Sequence, residues 1–209
     1  MSLDVTLARI AQLQSLLSPT AAAAPAAATA TPAASASGGS FASLMGAATG
    51  TTGAQAPVPA SAGPTGQAIV NLARNEVGQA EQPPGSNDSP RIAQYRQATA
   101  GSGVGPWCAY FTSWAARQAG APLGEQGQGF GGVADVWSWA QRSGKAIQPG
   151  TQTPQPGDLI VWGGRHIGIV ESVDPDGSLH TIEGNSSDRV SRRTYGADGG
   201  GATGYVRLG

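Results

Sequence analysis

The stretch 158-DLIVWGGRHIGIVESVDPDGSLHTIE-183 decides the fold. Upstream of it apolar residues recur at helical spacing, but after Pro156 the period drops to two, the repeat of a strand. Three strands are expected here, 158-DLIVW-162, 166-HIGIVESV-173 and 178-SLHTIE-183. They are joined by the turns 163-GGR-165 and 174-DPDG-177, which are short enough to fold each strand back on the last. Two more, 189-RVSRRTY-195 and 204-GYVRL-208, continue the series.

Working back toward the N-terminus, the pattern predicts four helices. The segment 66-GQAIVNLARNEVG-78 sets Ile69, Leu72, Ala73 and Val77 on one face and ends at a glycine suited to a helix C-terminus. After the loop 81-EQPPGSNDSP-90 come a short helix over 91-RIAQYRQAT-99 and a longer one over residues 107–119. In the longer helix Phe111, Trp114 and Ala115 share a face and Gly120 is the stop. The last, 133-VADVWSWAQRSG-144, carries Val133, Val136, Trp137 and Ala140 at helical spacing. Helices followed by a run of antiparallel strands make an α+β domain with the helices on one side of the sheet.

That domain is expected over residues 65–209, which hold all five Trp and both His of the 209-residue chain. Residues 18–64 are dominated by Ala, Pro, Thr, Ser and Gly, as in 18-SPTAAAAPAAATATPAASASGGS-40. Such a run has too little apolar surface to offset the entropy of ordering, so a disordered linker is expected. Ahead of it, Leu3, Leu7, Ile10, Leu13 and Leu17 predict a short amphipathic helix over residues 1–17, suited to docking on a protein partner. The apolar cluster 41-FASLM-45 suits the same purpose. The leader lacks the basic start and unbroken apolar core of a secretory signal, so export by a non-classical route or release by lysis is expected. No apolar run is long enough for a transmembrane helix. A net charge of −1 offers nothing to attract nucleic acid.

The single cysteine, Cys108, excludes an internal disulfide and a multi-cysteine metal site. Taken alone it reads as a small buried hydrophobe. Its surroundings argue otherwise. In 103-GVGPWCAYFTSW-114 it falls in the first turn of a predicted helix, where unpaired N–H groups favour a thiolate and can hold an oxyanion. His166 opens a strand, with Gly168 and Val170 on its face and Ile167 and Ile169 on the other, so space over Gly168 is expected to admit substrate. Glu183 and Asn185, in 183-EGN-185, end the next strand where either can orient an imidazole. His180 is one residue out of phase with Glu183 and has no expected role.

The order Cys, His, Glu-x-Asn, carried by 106-PWCAYFTSW-114, 156-PGDLIVW-162, 166-HIGIVES-172 and 181-TIEGN-185, resembles the CHAP family of cysteine peptidases and amidases, relatives of the papain-like fold. The segment 78-GQAEQPPGSNDSPRIAQY-95 is similar to the approach in phage-lysin-like members. The resemblance implies a bacterial enzyme acting on an amide of cell-wall peptidoglycan. It makes Cys108 the nucleophile, His166 the base, Glu183 the orienting residue and Asn185 a fourth member. Trp107, Tyr95, Glu81 and Asn87 are expected to contact substrate. Some members hold calcium in an Asp-rich loop before the cysteine. Here 101-GSGVGP-106 has no carboxylate, so neither metal nor cofactor is expected. Two rivals stand beside this reading. One is an amidase of the same fold acting on a small soluble amide. The other is a wall-tethering, flagellar or secretion assembly-associated protein, since the leader is similar to those of some flagellum-associated hydrolases.

Overall fold

The computed structural model describes residues 62–209. The amphipathic helix expected over 1–17, the cluster 41–45 and nearly all of the 18–64 linker lie outside the described residues. Among the described residues four helices come first: α1 (Pro64–Glu76), α2 (Pro90–Arg96), α3 (Cys108–Gln118) and α4 (Val133–Arg142). Six strands follow: β1 (Ala146–Ile147), β2 (Leu159–Trp162), β3 (His166–Val173), β4 (Leu179–Glu183), β5 (Ser191–Tyr195) and β6 (Gly204–Val206). All pairings are antiparallel, in the order β1-β6-β2-β3-β4-β5. The architecture is α+β.

The strands β2 to β5 form the expected meander. β6 does not extend it but returns to pair with β2, and the two-residue β1, absent from the sequence reading, pairs with its outer side. Side-chain character explains the order. Gly204, Tyr205 and Val206 are all buried and need neighbours on both sides, whereas 191-SRRTY-195 is largely exposed. A charged strand left at the edge also discourages pairing with another chain.

Alternation sorts the sheet residues between two apolar layers. Leu159, Val161, Ile167, Ile169, Ile182 and Val206 meet the helices, with α1 and α3 lying against β3. Ile160, Trp162, Val170, Leu179 and Tyr205 form a thinner layer on the other face. Helix α1 starts one residue earlier than the expected domain, on Pro64, whose fixed φ and missing N–H suit the first helical position. Its inward face is Ile69, Val70, Ala73 and Glu76, with Leu72 and Val77 only partly buried. Glu76 is admitted to that face because Arg91 and the Tyr95 hydroxyl both donate to its carboxylate. These bonds and the charge of Arg91 overcome the penalty of burial and hold Glu76 below the usual carboxylate range. In α4 the fully inward tryptophan is Trp139, while Trp137 is half-buried.

Candidate active site

Helix α3 begins at Cys108, with the sulfur in its first turn and the residue 4 % exposed. Upstream, the Tyr110 hydroxyl donates to the Gly103 carbonyl (3.0 Å), which pins the Gly-rich approach to the helix. Aromatic contacts fix the helix axis: Phe111 and Trp114 both pack on Tyr95 of α2. The first-turn N–H groups of a helix have no intrahelical acceptors, so they remain available beside the thiol.

His166 opens β3 opposite Trp162 of β2, and the two rings stack with centroids 5.5 Å apart. The imidazole Nε2 bonds the Glu183 Oε2 at 2.9 Å, which leaves Nδ1 for the sulfur. Burial disfavours the charged ring. Hydrogen bonding and charge from Cys108, and then from Glu183, outweigh burial and raise His166 to about 9. The imidazole is thus bonded to the Glu183 carboxylate and has its protonation favoured by Cys108.

Glu183 is 2 % exposed, and a buried carboxylate needs every lone pair engaged. Its Oε1 accepts from the Thr181 hydroxyl (2.6 Å) and the Tyr195 hydroxyl (3.0 Å), leaving Oε2 to the imidazole. Burial pushes its carboxyl up, but bonds from His166, Thr181 and Tyr195 and the charge on His166 hold it below the usual range. Burial, with the adjoining carboxylate, raises Tyr195 to about 12, so it stays a hydroxyl donor at neutral pH. Thr181 was legible in principle, two residues from Glu183 on one strand face. Tyr195 was not, because its reach to Glu183 depends on the β4–β5 register.

Gly168 corrects an expectation. A Cβ there would lie 2.7 Å from Glu183 Cγ, so the space over this glycine holds the Glu183 side chain and is not open to substrate. Gly184 does similar work for the backbone: its Cβ would meet Phe111 Cβ at 2.6 Å, so only glycine lets the end of β4 lie against α3. Replacing Gly168 with alanine is expected to push Glu183 off the imidazole. Turnover should fall at least about tenfold, with about 1–3 kcal/mol lost from stability as in other overpacked cores. Turnover equal to that of the parent chain in kinetics at pH 7 would show that Glu183 does not depend on this gap.

Asn185 sits with φ +55°, a left-handed conformation that asparagine tolerates, and does not bond the imidazole. With its amide turned to satisfy both ends, Oδ1 accepts from the Trp107 N–H (3.2 Å) and Nδ2 donates to Glu81 Oε1 (3.2 Å). The opposite orientation would set its carbonyl against the Glu81 carboxylate. Asn185 therefore ties the end of β4 to the residue preceding Cys108.

The four residues expected to touch substrate fall differently. Trp107 and Tyr95 are fully buried and Glu81 is 3 % exposed, so none presents a surface to a ligand. They form a support behind Cys108: Glu81 accepts from Trp107 Nε1 (2.9 Å) and from the Asn87 N–H (2.8 Å), and Tyr95 bonds Glu76. Asn87 alone is partly exposed, beside Asn185. The segments carrying these residues are held together by backbone pairing, Gly78 to Val190 and Glu81 to Asp188. His180 pairs with Asp174 at the surface, away from the ring of His166.

Residues 99–185 match the family model of the CHAP domain, a span that includes Cys108, His166, Glu183 and Asn185. Over that span the chain is similar to the CHAP domain. A search of curated proteins finds no match. CHAP domains are generally hydrolases, amidases or peptidases, that act on peptidoglycan. No helix among the described residues is long and apolar enough to cross a membrane, and no cluster of His, Cys, Asp and Glu among them has the grouping of a metal site.

Proposed function

We propose that this CHAP domain hydrolyses an amide bond of peptidoglycan through a covalent thioester on Cys108. The observation that carries the reading is the His166 imidazole bonded to the buried Glu183 carboxylate and kept protonated in part by Cys108, which stands at the N-terminus of α3. The thiolate attacks the carbonyl carbon, and first-turn N–H groups of α3 receive the oxyanion. As the C–N bond breaks, the imidazolium of His166 gives its proton to the leaving amine. The neutral imidazole then takes a proton from water, whose oxygen attacks the thioester, releasing the carboxylic acid and restoring the thiolate beside the imidazolium. Glu183 keeps the ring oriented and offsets its charge, while Asn185 holds Trp107 and hence the start of the helix. No metal takes part in any step proposed here, and the wall substrate places the activity at the bacterial cell wall.

Mass spectrometry of fragments released from purified walls tests the reading. Each cleavage is expected to add one water in total, leaving a new amine on one fragment and a new carboxylate on the other, and prior alkylation of Cys108 is expected to stop release. Release that survives full alkylation would remove the thioester route. The absence of any fragment would remove the hydrolase reading.

A further inference from the structure

On the Trp162 side of His166 lies a cavity of about 190 Å³ lined by Trp162, Arg165, His166, Tyr195 and Gly200. Its aromatic part is fixed in place. Trp162 and Tyr195 pack with centroids 5.1 Å apart, Trp162 Nε1 donates to the Gly199 carbonyl (2.8 Å), and the Tyr195 hydroxyl is held by Glu183. Among the described residues no Asp or Glu lines the cavity, and Glu183 behind it has both oxygens engaged.

Arg165 stands apart from the other arginines. Each of the others among the described residues has a side-chain hydrogen-bond partner, carboxylate, hydroxyl, amide or carbonyl. Arg165, exposed in the turn between β2 and β3, has none among them. A guanidinium presents a planar fork that matches a carboxylate with two parallel bonds. Beside it the imidazolium of His166 adds a second positive charge.

We infer that Arg165 and this cavity form a subsite for a free carboxylate on the wall stem peptide, flanking the amide that Cys108 attacks. The assignment rests on the hydrolase reading above. Arg165 binds the carboxylate, and the Trp162 and Tyr195 rings pack against the peptide stem that bears it. The domain thereby prefers stems whose carboxylate is free over stems in which it is amidated.

Binding can be read without turnover, on the full chain carrying Cys108→Ala. The probes are muramoyl stem peptides in which each free carboxylate is replaced in turn by a carboxamide. One replacement is expected to weaken binding about tenfold at low salt, the size of a charge-assisted pair, and less at high salt. Adding Arg165→Gln should abolish that difference, and Arg165→Lys should keep part of it. Equal affinity across the peptides, or a preference that persists with Arg165→Gln, overturns the subsite. Turnover of the same peptides by the chain with Cys108 intact separates the two readings. Turnover with no carboxylate preference overturns the subsite alone, and preferential binding with no turnover overturns the hydrolase reading alone.

Discussion

Replacing Cys108 with alanine is expected to lower the release of wall fragments by at least about 10⁴-fold, the scale seen when a nucleophile is removed from a cooperating set. The thermal melt should move little, by no more than the sulfur's share in holding the His166 proton. The residue is small, sits at the first position of α3, and loses only one sulfur to the change. The helix keeps its placement through Phe111, Trp114 and the Glu81–Trp107 bond, none of which involves the thiol. Serine in the same place is expected to be nearly as inactive, because a hydroxyl does not ionise against an imidazole as a thiol does. The measurement is fragment release beside a circular-dichroism melt. Activity within tenfold of the parent chain, with an unchanged melt, would take the nucleophile's role away from Cys108.

Much of the fold was legible because the hydrophobic period changes once, at Pro156, and local turn chemistry marks each strand end. The return of β6 to β2 was not, since pairing order depends on which strands can bear burial on both faces. At the site, Cys108 and His166 stood out by residue type and by position at the start of an element. Gly168 shows where such reasoning stops. A small residue beside a reactive ring suggests room for a ligand, yet the gap is taken by a side chain from the neighbouring strand. Trp107, Tyr95 and Glu81 were misjudged for a related reason. Polar and aromatic residues near a nucleophile look like ligand contacts in one dimension, and only packing reveals that they point inward. The Arg165 cavity needs the same three-dimensional information, because what distinguishes that arginine is having no side-chain partner among the described residues.

The carboxylate behind His166 supplies the second large effect. Glu183→Gln keeps the shape but removes the charge that, with the sulfur, raises the imidazole from 6.5 to about 9. Between those two values the folded chain keeps a proton that the unfolded chain releases. Its stabilising contribution is therefore complete below about pH 6.5 and is lost as the pH rises through about 9. The same proton is the one the leaving amine receives, so the hydrolysis rate is expected to show an alkaline limb near that pH. In the variant the limb is expected to move at least one pH unit toward neutrality. Hydrolysis near pH 7.5 should fall about a hundredfold or more, since the ring also loses an acceptor that fixes its orientation. The melting temperature of the parent chain should drop more steeply from pH 7 to pH 10 than that of the variant. A role limited to packing would lower the melt at every pH and leave the alkaline limb of hydrolysis where it stands. An unmoved limb would therefore leave Glu183 as scaffold and the imidazole as the property of Cys108 alone.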